Sequence, residues 1–386
     1  MRNSLLLLFL LVLSCQTQPE NKIEEPGQLS LAFTKTIELP LDKMSVQRSP
    51  QFQYFRYLEE NFLAHYNQPD NSIKILSLDQ KALTQTIRLN TYGPDALIDM
   101  DGSPKNFKII SPDSIFIYSI VQEKIFLINS KAKIRNYWEA PIESLGPEYP
   151  VAVFTTLCSL VIRENKILFT SRISWFPNGP SPLLVLPLDK NKKTERIPKE
   201  LKLYDEHDVS LLGDANSFRA SNTVTQDGTL LISYPLDHRI MTVDQDLNIN
   251  YIELKNPKVG ILKGFGKKIN AEIYASNEFH EYNFITSKYH AIISDPYNQL
   301  IYRIAKLPYS INEFRNVQNG AKYEGLDFSI MIYDDQFNYI GEKTFEKSKI
   351  YDMTSILVTP NGLMIRKTSE DEDTLVFDIF QPKELK

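Results

Sequence analysis

Residues 227–254 read DGTLLISYPLDHRIMTVDQDLNINYIEL, and the order of apolar runs and turn residues in that stretch decides the fold. Asp227-Gly228 tolerates the positive φ angles of a two-residue hairpin. After it come TLLISY as one strand, a short loop, RIMTVD as a further strand ending at Asp244, and INYIEL as a last one, all rich in residues that suit a pleated surface.

The same order recurs along the chain. Tight turns fall at Glu60-Asn61 before FLAHY, Pro112-Asp113 before SIFIYSI, Glu164-Asn165 before KILFTSRIS, Tyr297-Asn298 before QLIYRI and Asn361-Gly362 before LMIRK. The third strands end at Asp79, Asn129, Asp189, Asp244, Asp334 and Phe380. Five of them lead into a fourth strand (LTQTIRL, KIRNYW, KTERIP, INYIEL and NYIGEKTF), and the sixth does not. An unpaired strand, LSLAFTKTIEL at 29–39, is expected to supply the missing edge. The pattern predicts an all-β fold, a six-bladed β-propeller of four-stranded blades spanning 29–386, with the ring closed by the N-terminal strand completing the last blade. Stacked sandwiches would also show many short strands but would not explain the repeat count.

Upstream of 29 the composition changes. Residues 16–28 read QTQPENKIEEPGQ, too polar to bury a core, and are expected to form a flexible tether. Before it, Arg2 supplies a positive start, Leu5 to Leu13 an apolar stretch, and Val12-Leu13-Ser14-Cys15 a lipobox-like end. That stretch falls well short of the roughly 20 helical residues that cross a bilayer. The expected processing removes 1–14 as a signal peptide and leaves Cys15 as a lipidated N-terminus, with a plain secretory signal as the alternative.

These residues resemble Bacteroidetes-type lipoproteins with a six-bladed propeller-like domain. In that family a strand, Asp-Pro-Tyr and a Tyr-Arg strand recur much as Ser294-Asp295-Pro296-Tyr297 and Tyr302-Arg303 do here. The resemblance adds to the fold and to an address in the cell envelope, where the lipid anchor is expected to sit in the outer membrane on either its periplasmic or its surface side. It implies no activity, and no catalytic residue is carried over from it.

Lysine and arginine number 43 against 48 acids, a formal net charge of -5, and no basic stripe suited to a phosphate backbone is visible, so nucleic acid is not an expected partner. Of the two cysteines, Cys158 is left without a partner and is expected to be a small buried hydrophobe.

Motifs that carry chemistry mostly fail on spacing. His280-Glu281 opens like a zinc-protease helix, but Phe284 stands where the second histidine belongs and the surroundings do not read as helical. Gly264-Phe265-Gly266-Lys267 lacks the P-loop spacing, and Asp244, Asp246, Asn248 and Asn250 lack the glycine of a calcium loop because Ile249 is in its place. The acidic run 369–373 reads as a solvated loop. No metal ligands and no cofactor are assigned.

A ligand site is therefore expected where strand ends and long connections (92–105, 140–152, 200–218, 255–286 and 308–326) converge on one face. The residues placed there are His65, Tyr66, Arg172, Trp175, Arg219, Tyr234, His238, His280, Arg303 and Arg366. Arginine forks suit carboxylate or phosphate, and flat aromatic faces suit sugars or peptides. For each arginine alone, tying neighbouring blades together is the plain alternative. The expected function is a membrane-anchored module that binds a peptide, a glycan or an envelope protein. The alternative is a propeller enzyme of glycosidase, lyase or lactone-hydrolase type drawing on acids such as Asp99, Asp101, Glu281 and Asp295.

Overall fold

The structure is a computed structural model. It describes residues 28–385 apart from 50, 98–105, 120, 141–154, 171–182, 190–194, 198–218, 261, 268–269 and 324. Among the described residues the fold is mostly β, in small antiparallel sheets, and the sequence repeats map onto it directly.

Four sheets have four strands each, in chain order. The first holds β2 (Phe52–Tyr57), β3 (Glu60–Asn67), β4 (Ser72–Ser77) and β5 (Ala82–Arg88). The second holds β6 (Asn106–Ser111), β7 (Ser114–Ser119), β8 (Lys124–Ile128) and β9 (Ile134–Glu139). The third holds β10 (Val161–Arg163), β11 (Lys166–Thr170), β12 (Leu183–Pro187) and β13 (Glu195–Ile197). The fourth holds β14 (Ser221–Val224), β15 (Leu230–Ser233), β16 (Arg239–Val243) and β17 (Ile249–Glu253).

The remaining eight strands form one sheet made of two such groups. A fifth group is β18 (Lys288–Asp295), β19 (Leu300–Lys306), β20 (Leu326–Asp334) and β21 (Tyr339–Ser348). The sixth is β22 (Tyr351–Thr359), β23 (Gly362–Lys367), β24 (Thr374–Glu384) and β1 (Leu29–Pro40). The strand at 29–39 does pair antiparallel with β24, from Leu29 opposite Glu384 to Pro40 opposite Thr374. A single parallel bridge, Leu29 to Gly341, joins the two groups.

Side chains alternate across each strand, so one strand feeds two cores. On β7, Ile115 and Ile117 pack towards the first sheet, while Phe116 and Tyr118 pack towards the third. On β15, Leu230 and Ile232 face the third sheet and Leu231 the fifth group. The hydrophobic clusters accordingly lie between consecutive groups: first and second, second and third, third and fourth, fourth and fifth, fifth and sixth. A further cluster joins last to first, with Ile37, Leu39, Met364 and Phe377 against Phe52, Leu63 and Leu76.

Three expectations need correction, of which the smallest is the last tight turn: it is Pro360-Asn361, since Gly362 already pairs with Thr359 as the first residue of β23. The first tight turn is at Leu58-Glu59, both at positive φ (47° and 66°), not at Glu60-Asn61, which already belong to β3. Helices also appear in two of the long connections: α1 (Ala271–Tyr274), α2 (Asn277–Ile285) and α3 (Ile311–Gln318). Ser276 caps α2 by accepting from Phe279 N, and Ser310 with Glu313 forms a capping box on α3. His280-Glu281 is thus helical after all, although Phe284 still holds the place a second zinc ligand would need.

Candidate functional site

The innermost strands β2, β6, β10, β14, β18 and β22, one from each group, line a single cavity of about 920 Å³. Its floor is the segment 155–159 that precedes β10. Thr156 Oγ1 accepts from Phe52 N of the first sheet (3.0 Å), Leu157 O accepts from Asn222 N of the fourth (2.9 Å), and the Leu157 side chain packs with Ile293 and Ile356 of the fifth and sixth groups. The segment therefore reaches the first, fifth and sixth groups, which are not neighbours of its own sheet, as well as the adjoining fourth. The cavity runs from it to the tight-turn ends of the inner strands, at Glu164, Gly228, Pro296, Tyr297 and Val358.

Side chains of one inner strand satisfy the open backbone edge of the next. The Gln51 amide donates to Phe107 O (2.6 Å) and accepts from Phe107 N (3.0 Å), and Gln53 does the same at Ile109 (2.7 and 2.8 Å). Asn222 holds Ser159 N and O (3.0 and 3.1 Å), while Ser221 Oγ and Thr223 Oγ1 accept from Ile292 N and Ser294 N, each at 3.0 Å. The two-residue period of a strand sets these pairs, 51 with 53 and 221 with 223, and they fix the cavity wall without covering it.

At the rim, the half-buried Tyr54 donates to Asn61 Oδ1 (2.6 Å) and is also within hydrogen-bonding reach of Tyr297, and burial raises its pKa. Tyr297 is 45% exposed. The charged groups on the lining are Lys108, Arg163, Glu164, Lys166 and Asp246. Of these only Asp246, in the candidate calcium loop, and Glu164, in a tight turn, were named from the sequence, and neither as a cavity residue, because inner-strand positions such as Lys108 and Arg163 carry no motif and only the fold turns them towards a common space.

Of the ten residues placed at the site from sequence, Arg172 and Trp175 lie outside the described residues, and none of the other eight lines this cavity. Arg303 is fully buried between the fourth sheet and the fifth group. Its Nη1 donates to His238 O (2.5 Å) and Leu254 O (3.0 Å), its Nη2 to Asp237 O (2.7 Å) and Ser233 Oγ (3.1 Å), and its guanidinium lies 3.3 Å from the centre of the Tyr289 ring. His238 shares that seam, with Nδ1 2.9 Å from Tyr289 Oη.

Arg366 and His65 meet at the seam between the sixth group and the first sheet. Arg366 pairs with Asp352 (3.2 Å) and sits over Phe52, on which His65 stacks at 5.7 Å. His65 is completely buried, with no side-chain partner for its ring nitrogens among the described residues, and desolvation, with Lys74 and Arg366 nearby, lowers its pKa to about 4. Tyr66 donates to Asn71 Oδ1 (2.9 Å), Tyr234 is buried, and Arg219 and His280 are exposed and apart from the others. The structure thus brings together two pairs, each in a seam between sheets, and sets none of the eight on the cavity lining.

One of the candidate acids and the candidate calcium loop are similarly engaged. Buried Asp295 accepts from Tyr297 N, Asn298 N, Asn298 Nδ2 and Tyr302 Oη at 2.8–3.1 Å, which explains the Asp-Pro-Tyr and Tyr-Arg segment as a turn lock followed by a sheet-to-sheet staple. Asp244 accepts from Asn248 N and Nδ2 (both 2.8 Å), and Asp334 binds Asn338 in the same way, so both are hairpin turns with Leu247 and Phe337 at positive φ. Asp99 and Asp101 lie outside the described residues. Cys158 is buried in the floor segment, where desolvation pushes its thiol up to about 12.

Comparison with known proteins places this architecture. A solved structure from Bacteroides vulgatus ATCC 8482, a member of the DUF4221 family, is similar with a TM-score of 0.75 at 18% identity, covering 94% of this chain and all of that one. A protein from Bacteroides fragilis NCTC 9343 is similar with a TM-score of 0.54 at 12% identity, covering 93% and 96% of the two chains. At these identities the likeness is one of fold. No curated protein matches. Residues 28–344 match the family described as "Domain of unknown function (DUF4221)", and with most of its length inside that match the chain belongs to this family.

Proposed function

We propose that the chain is a lipid-anchored, extracytoplasmic binding module: a six-bladed propeller, closed by β1, that takes a ligand in its central cavity. Its carrying observation is that inner strands from all six groups line one space, closed below by 155–159 and reaching the turns above. The cluster between last and first groups supports the ring. A cavity of this volume lies in the range typical of small-molecule sites. Extracytoplasmic placement draws on the leader at Leu5 to Cys15, and the Bacteroides fragilis neighbour carries the description of an exported protein.

Half-exposed Ile110 lines the cavity, so Ile110→Trp should narrow it without disturbing a core. In a thermal-shift screen of sugars, peptides and organic acids, a compound that raises the melting temperature of the natural chain should lose that effect in I110W. Stabilisation untouched by the substitution would place binding elsewhere. For the anchor, Cys15→Ala should move the protein from the membrane to the soluble fraction, and unchanged fractionation would remove that part of the reading.

A further inference from the structure

Most polar groups on the cavity wall already have partners. Gln51, Gln53, Asn222 and Thr223 bind neighbouring main chain, so they hold the wall's shape and have little left to select a ligand. Lys108 is different. It stands on β6 between Phe107 and Ile109, the two residues gripped by Gln51 and Gln53, so its backbone is fixed on both sides. Its side chain is half-buried on the cavity lining and, among the described residues, meets neither a carboxylate nor a hydrogen-bond acceptor.

On β10, Arg163 donates through Nη1 to Asp244 O (2.7 Å) and through Nη2 to Gly228 O (2.6 Å). Its Nε is buried as well, so this arginine is committed to the wall. With Lys166, three cations line the cavity against two acids, Glu164 and Asp246, in a molecule whose net charge is -5. Taking a cation out of water without a counter-charge is unfavourable, and burial lowers the pKa of Lys108 accordingly. An anion entering the cavity supplies the missing partner and gains a charge-assisted hydrogen bond.

We propose that the cavity selects a small ligand bearing an oxyanion, carboxylate or phosphate, with Lys108 as its charged contact. This rests on reading the cavity as the ligand site and names the chemistry it accepts. Tyr54 and Tyr297 at the rim then offer ring faces to the rest of the ligand.

The test uses inorganic phosphate and citrate as anionic probes and N-acetylglucosamine as a neutral one, at constant ionic strength, on the natural chain, Lys108→Met, Lys108→Arg and Ile110→Trp. At least one anion should raise the melting temperature of the natural chain saturably, with apparent affinity about tenfold or more weaker in K108M and largely kept in K108R. Far-UV circular dichroism shows whether each variant is folded, and K108R carries the charge argument if K108M is not. Equal affinity in K108M, or no stabilisation by either anion, overturns the proposal. Stabilisation by the neutral sugar alone, abolished in I110W, would remove the anion while keeping the cavity as a ligand site.

Discussion

Arg303 shows what an arginine at the end of a second strand can be. From sequence it reads as a tie between blades when taken alone and as a ligand fork when taken with the other arginines, and its actual partners are main-chain carbonyls of His238, Leu254 and Asp237, which no residue type announces. His65 carries no motif either, and its burial against Phe52 makes it a stability determinant. Its pKa is about 4 in the folded chain against about 6.5 when exposed in the unfolded one. The unfolded state therefore binds the extra proton first. The stability that goes with a neutral His65 is complete above about pH 6.5 and is lost as pH falls towards 4, by on the order of 3 kcal/mol. His238 and His290, also lowered by burial, act in the same direction. Urea midpoints between pH 7.5 and 4.5 should fall more steeply for the natural chain than for His65→Phe. Parallel profiles would mean that His65 does not carry this pH dependence.

At the scale of elements, strands and most turns were legible because the two-residue period and the turn residues are local signals. The first turn was misplaced by two residues because it uses Leu58 and Glu59, neither of which advertises a positive φ. The helices were missed because α1 and α2 run to only four and nine residues and depend on caps more than on an apolar stripe. The cavity could not be read at all, since its floor at 155–159 is set by contacts with the first and fourth sheets, far away in sequence. The turn itself is open to improvement. Leu58 is 79% exposed, and the ion pair of Glu59 with Arg56 is on the surface, where such pairs contribute little. Replacing Leu58-Glu59 by Asn-Gly should stabilise the chain by about 1 kcal/mol, since both residues accept the required backbone angles. A higher urea midpoint with unchanged slope is the expected reading, and a lower midpoint would show that the side chains matter more than the backbone.

For the whole molecule, the decisive contact joins the two ends of the chain. β1 covers the edge of β24 along its full length and brings Leu31, Ile37 and Leu39 into two of the seams between groups. Each buried side chain of this kind contributes about 1.5–3 kcal/mol, so the three together approach the 5–15 kcal/mol by which a typical domain is stable. Space is also set aside for this strand: a Cβ at Gly341 would come within 1.8 Å of Leu29 O. Without β1, β24 would become a long open edge with an apolar flank, a surface prone to pairing with other chains. A chain beginning at residue 41 should therefore unfold at much lower urea or self-associate, as seen by circular dichroism and size-exclusion chromatography. A synthetic peptide of residues 29–40 added in trans should restore a monomer, because strand addition to an open edge supplies the same main-chain ladder. A truncated chain that stays monomeric with an unchanged urea midpoint would show that the ends need not meet, and the ring reading would fall with it.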